Sequence, residues 1–269
     1  MRKQWTMAVV ASVAVFGACA EADTQRPSTD TFAAAEEGGT MVEAVAFSEA
    51  LAGYDTLLQT HVDADGFVDY RALAAEPEPL DAYVAALAKP GMLPPSEQRE
   101  MRLAALINAY NAFTLKLILD HYDDGRLGSI TDLHGGKPWD QKIWPLDGRT
   151  VSLNQIEHDM IRPVFDEPRI HWALVCAAYS CPPLRAEAYT AEDLETQLAS
   201  QEDYVLNFDH PRYAVQQGGK LKLTKLFDWY GQDFGQDWKA YASERLDVKV
   251  GSGVGFVNYD WRLNSKENK

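Results

Sequence analysis

Basic residues are scarce in this 269-residue chain, with 25 Lys+Arg against 40 Asp+Glu and a formal charge of −15. Such a surface repels phosphate backbones and anionic lipid, so nucleic acid is excluded as the expected partner. Cysteine is scarcer still, with three in all, at positions 19, 176 and 181. An odd count in an oxidising compartment needs an explanation. No internal repeat is present. The acidic turn Asp63-Ala-Asp65-Gly66 imitates part of a calcium loop, but His61 and Ala72 stand where that loop needs acids. No other motif requires a metal or a cofactor.

What is present begins with a leader. Met1-Arg-Lys-Gln-Trp5 is basic, and Thr6 to Phe16 is an apolar run of signal-peptide length. A membrane-spanning helix takes roughly 20 residues, so this run is too short to be one. Gly17-Ala18-Cys19 resembles a lipobox, with Phe16 three residues before the cysteine where leucine is usual. Residues 1–18 are therefore read as a signal peptide and Cys19 as the lipidation site, which also accounts for the odd cysteine. Cleavage after Ala20 is the alternative, since Ala18-Cys19-Ala20 also fits an ordinary cleavage site. Either way the chain is expected to be exported. Lipidation makes it an outer-membrane or cell-envelope lipoprotein facing the periplasm, held to the membrane through its lipid alone.

Residues 19–40 are small, polar and acidic, with too little apolar surface to offset the entropy of ordering, and read as a tether. Residues 41–269 then form one domain. Periodicity predicts a helix over Val42–Leu58 and another over Ala74–Ala88. A third, capped by Ser96, runs to Tyr122 and is apolar nearly all round, hence buried. A helix is expected from Val151 to Val164, a buried strand over Arg169–Cys176 and a helix over Thr190–Asn207. A hairpin is expected over Arg212–Val215 and Lys220–Leu223. Further helices should cover Lys225–Ser243, followed by strands Asp247–Val250 and Gly255–Tyr259. The fold class is α+β, with the buried central helix on a mostly antiparallel sheet and other helices around it.

Three places carry polar groups that an apolar setting must explain. Asn108 and Asn111 lie on one face of the central helix, and an unpaired buried amide costs about 1–3 kcal/mol. They either pin the helix to neighbouring backbone or point into a polar pocket. Glu157-His158 and Arg162 could orient an imidazole or bind a carboxylate, or form a solvated helix face. His171, Cys176 and Cys181 are the nucleophile candidates. A strand would set His171 and Cys176 on opposite faces, about 16 Å apart. Cys181, before a helix opened by Pro182, could return to the histidine and have its thiol pKa lowered. A Cys176–Cys181 disulfide is the structural alternative. Zinc or copper held by His158, His171, Cys176 and Cys181 fits no standard spacing. Seven tryptophans and twelve tyrosines suit a carbohydrate or peptide groove as well as a core.

Leu106-Ile-Asn108-Ala-Tyr110-Asn111, Ile156-Glu157-His158, His171 through Cys176 to Ser180-Cys181-Pro182, and Tyr259-Asp260-Trp261-Arg-Leu263-Asn264 together resemble the domain of unknown function 547 (DUF547) family, from about Phe47 to Asn264. A more distant likeness is to papain and transglutaminase-like cysteine enzymes, although those place the cysteine before the histidine. That likeness implies a hydrolase or acyltransferase acting on an amide-containing envelope peptide or glycan. Cys181 would be the nucleophile, His171 the base, Glu157 or Asp260 its orienting acid, and Asn108 or Asn111 an oxyanion donor. Asn111, His158, Arg162, Tyr110 and Cys176 would bind substrate. The rival readings are a non-catalytic envelope binding module stapled by Cys176–Cys181 and a metal or thiol-redox protein.

Overall fold

The computed structural model describes residues 41–207, 210–217 and 220–269; the leader, the lipidation site Cys19 and the tether lie outside the described residues. Helix α1, Met41–His61, buries Tyr54, Leu57 and Leu58, while Val45 faces outward. Helix α2, Tyr70–Ala75, is capped by the Asp69 carboxylate, which accepts from the Ala72 N–H at 3.0 Å. Helix α3, Glu78–Leu87, opens with prolines 77 and 79 where a missing N–H costs nothing, and packs along α1. Helix α4, Arg99–Leu119, is the buried central helix that the composition predicts. Its cap differs from expectation. Gln98 precedes the first turn without a side-chain bond, and the Ser96 hydroxyl turns to Glu97 instead.

Helix α4 packs chiefly against α2, α3 and the elements that follow residue 152, rather than on a broad sheet. The sheets of this α+β fold are small and lie to the side. Strands β1, Trp144–Leu146, and β2, Arg149–Val151, pair antiparallel through an Asp147-Gly148 turn with both φ values positive. Phe113 of α4 stacks on Trp144 at 5.1 Å. Strands β3, Ala214–Gln217, and β4, Lys220–Leu223, form the expected hairpin, and β5, Gly255–Phe256, joins β4 in parallel.

Two expected strands are not strands. The stretch over Asp247–Val250 begins at a left-handed Asp247 that ends a helix. The stretch Arg169–Cys176 opens as the helical turn α6, Ile170–Ala173, and only then extends. A short apolar run does not distinguish a buried strand from a buried helical turn by pattern, and tertiary packing decided it here. The expectation that strand parity separates His171 from Cys176 falls with the strand.

Ser152 and Gln155 form a reciprocal capping box that starts α5, Leu153–Gln155. The chain then widens into a π-helical turn over Ile156–Ile161, with the Arg162 N–H bonded to the Glu157 carbonyl at 2.9 Å. Helix α7, Leu194–Val205, helix α8, Leu226–Tyr230, and helix α9, Trp238–Leu246, complete the chain order. The main core surrounds α4. A second cluster gathers Trp172, Tyr213, Phe227, Phe234 and Leu246, so α6 contributes to both through His171's neighbours. Among the described residues no helix is long and apolar enough to cross a membrane.

Candidate functional site

The π-turn and α6 bring Glu157, His158, Arg162 and His171 together, and the acid that joins them is Asp233. Arg162 donates Nε–H to Asp233 Oδ2 at 2.6 Å and Nη2–H to Oδ1 at 2.9 Å, a bidentate pair. His171 Nε2–H donates to the same Oδ2 at 2.7 Å. His158 Nδ1 meets Arg162 Nη1 at 2.9 Å, so the residues four apart in sequence do meet. The His171 ring stacks on Tyr230 at 4.2 Å, and the Arg162 guanidinium lies 5.1 Å from the same ring. Tyr230 also hydrogen-bonds Glu157.

Burial sets the charges of this cluster. It pushes the Glu157 carboxyl up, with His158 and Arg162 pulling the other way. Burial also pushes the His171 imidazole down and favours its neutral form, against the pull of Asp233. Burial would raise Asp233 too, but the bonds from His171 and Arg162 outweigh it and hold that carboxyl far below its ordinary range.

The thiols sit beside this cluster and pair with each other. Asn111 clamps the approach, donating to the Ala173 carbonyl at 3.0 Å and accepting the Val175 N–H at 2.9 Å. Asn108 does the same to the Tyr189 backbone, at 2.8 Å in both directions. Both amides therefore act as backbone clamps, which is the pinning alternative of the two open in the sequence. Ala177 takes a left-handed φ of 57°, and the Cys181 N–H closes on the Ala178 carbonyl at 3.0 Å. That turn sets Cys181 Sγ 2.9 Å from the Cys176 N–H. Residues 260–264 hold the loop through Tyr179 N–H to Arg262 O and Asn264 N–H to Ala177 O.

The expectation for Cys181 needs two corrections. No helix starts at Pro182, because residues 182–193 carry none before α7. Cys181 is also buried, with burial and the adjacent Cys176 pushing its thiol well up. Cys176 is partly exposed. Burial opposes its ionisation, but bonds from Cys181, the Tyr259 hydroxyl and the Ala178 N–H outweigh it and hold the thiol below its ordinary value. The Tyr259 hydroxyl lies 3.0 Å from Cys176 Sγ. Tyr110 is buried within electrostatic reach of Glu157, Tyr230 and both thiols.

His171 bonds Asp233 rather than a thiol. Asp260 bonds Arg262, and its N–H bonds Ser180 Oγ, so it fixes the cysteine loop and does not orient the histidine. Among the described residues no three His, Cys, Asp or Glu side chains converge to hold a metal.

Residues 94–205 match the model of a family described as a protein of unknown function, DUF547. The chain carries a DUF547 domain. No curated protein and no solved structure matches it. The DUF547 match spans α4 to α7 and includes Asn108, Asn111, Glu157, His158, Arg162, His171 and both thiols. Tyr230, Asp233 and Tyr259 lie beyond it. Sequence reasoning assigned no role to these three. Tyr259 stood in the Tyr-Asp-Trp motif and could have been weighed. Asp233, between Gly231 and Gly235, carries no periodic or spacing signal that ties it to a histidine 62 residues away.

Proposed function

We propose that the DUF547 domain is a thiol-dependent hydrolase or acyltransferase acting on amide-containing envelope material, with Cys176 in place of Cys181 as the nucleophile. One observation carries the reading: Cys176, the less buried residue of the pair, has its sulfur 3.0 Å from the Tyr259 hydroxyl. A donor fixed on the sulfur favours thiolate, the form that attacks. The thiolate adds to the amide carbonyl carbon, the C–N bond breaks and the departing amine takes a proton, for which the Tyr259 O–H is the adjacent source. The thioester then passes its acyl group to water or to an amine. In this reading Arg162, Asp233 and His171 are positioning residues that hold Glu157 and Tyr230 beside the thiols. The leader and Cys19 support an envelope setting, and Cys19→Ser should release the protein from the membrane fraction.

Thiol alkylation across pH, read by intact mass on unreduced protein, tests the reading. One thiol should react quickly near neutral pH. Cys176→Ser should slow that phase at least about tenfold, and Cys181→Ala, which removes one of the bonds on that sulfur, should slow it less. A fast phase that survives Cys176→Ser would overturn the assignment. The neighbouring sulfurs also favour a second reading, a binding module with a Cys176–Cys181 disulfide. Thiols that appear only after reduction would support that one instead.

A further inference from the structure

Trp229 is exposed by 39%, and its indole lies between the Tyr259 ring and a cavity that the thiol chemistry does not use. On one side it packs on Tyr259 at 4.8 Å and Trp261 at 6.0 Å, and Trp261 continues to Trp139 at 5.8 Å. On the other it walls a cavity of about 400 Å³ together with Phe227, Trp238 and Phe256. Tyr259 is the ring whose hydroxyl meets Cys176. An aromatic strip thus runs from a ligand-sized cavity to the thiol.

The chemistry of the cavity narrows its occupant. It has no aliphatic wall for a lipid chain or a leucine-like side chain, since its polar members are Asp228, Gln232 and Lys239. Aromatic walls suit a quaternary ammonium. Here two ammonium groups already stand over them, Lys239 Nζ 5.6 Å from the Trp238 ring and Lys225 Nζ 5.3 Å from Phe256. The wall carries one acid, Asp228, and one base, Lys239, and Asp228 is already paired with Lys225 at 2.6 Å. A neutral sugar ring meets none of these objections. Its C–H faces stack on indole, and its hydroxyls reach a carboxylate, an amide and an ammonium.

We infer that this cavity is a saccharide subsite for a neutral sugar ring, and that the substrate is a sugar-bearing amide rather than a bare peptide. The second clause rests on the thiol reading above; the sugar site does not. Titration of the full chain with chitotriose, followed by tryptophan fluorescence and by calorimetry, tests it. Saturable binding is expected. Trp229→Ala, at an exposed position, should weaken it at least about tenfold, and Gln232→Ala should weaken it as well. Cys176→Ser should bind as the parent does. Absence of saturable binding, binding unchanged in both cavity variants, or displacement of the sugar by choline would overturn the subsite. Sugar binding without a fast thiol would sink the thiol chemistry alone, and a fast thiol without sugar binding would sink the subsite alone.

Discussion

Asp233→Ala is expected to lower the stability of the domain by about 2–4 kcal/mol, with a fall in Tm of about 5–12 °C at this size. The carboxylate accepts two bonds from Arg162 and one from His171. The side chains of Arg162 and Asp233 are 21% and 23% exposed, whereas that of His171 is 2% exposed. Breaking a fully buried pair costs about 3–5 kcal/mol, and an exposed pair is worth under about 1 kcal/mol. This site lies nearer the first case, because the imidazole that loses its partner is itself buried.

The pH dependence has a definite sign. The folded Asp233 carboxyl lies far below its ordinary value of 3.8, so its stabilisation is present above that pH and is lost as pH falls below it. His171 acts in the same direction at higher pH. Its folded value is lowered from 6.5, so the unfolded chain protonates first and stability declines on acidification from there. Asp233→Asn should remove the lower stage and keep the upper one. Urea melts at pH 7, 5 and 3 measure both, and a variant within about 0.5 kcal/mol of the parent at pH 7 would refute the account.

Gly66→Ala is expected to cost about 2–5 kcal/mol, and it links the fold to the thiols. Gly66 has a φ of 78°, and an added Cβ would lie 2.4 Å from Pro183 Cα and Cβ and 2.6 Å from the Leu184 nitrogen. These are backbone atoms and a proline ring carbon, with no rotamer to move. Left-handed strain contributes about 1–2 kcal/mol and overpacking about 1–3. The displaced segment follows Cys181 directly, so alkylation of that buried thiol should speed up in the variant. Gly135→Ala is the control. It shares a positive φ, at 64°, but meets nothing within 4 Å, so only the conformational part should appear in its melt.

Much of this molecule is legible in its order of residues. The all-round apolar run of α4 announces a buried helix, and Gly218-Gly219 between two short runs announces the β3–β4 pair. A buried amide must find a partner, so Asn108 and Asn111 had to be clamps or pocket groups. The spacing of His158 and Arg162 set them together. These features depend on local periodicity, turn chemistry or the cost of an unpaired polar group, and each acts over a few residues.

The rest required the folded chain. Local pattern could not make Ile170–Ala173 a helical turn, because its apolar residues suit either state and packing against both cores chose. It could not say which cysteine is the less buried, since that follows from a loop held by residues 260–264. Nor could it bring Asp233 to His171, or Tyr259 to Cys176. The sequence by itself determined the central helix, the hairpin and the residues that needed partners. Only the tertiary structure decided which partners they met, because contacts 62 and 83 residues apart are set by how distant segments pack together and leave no periodic trace along the chain.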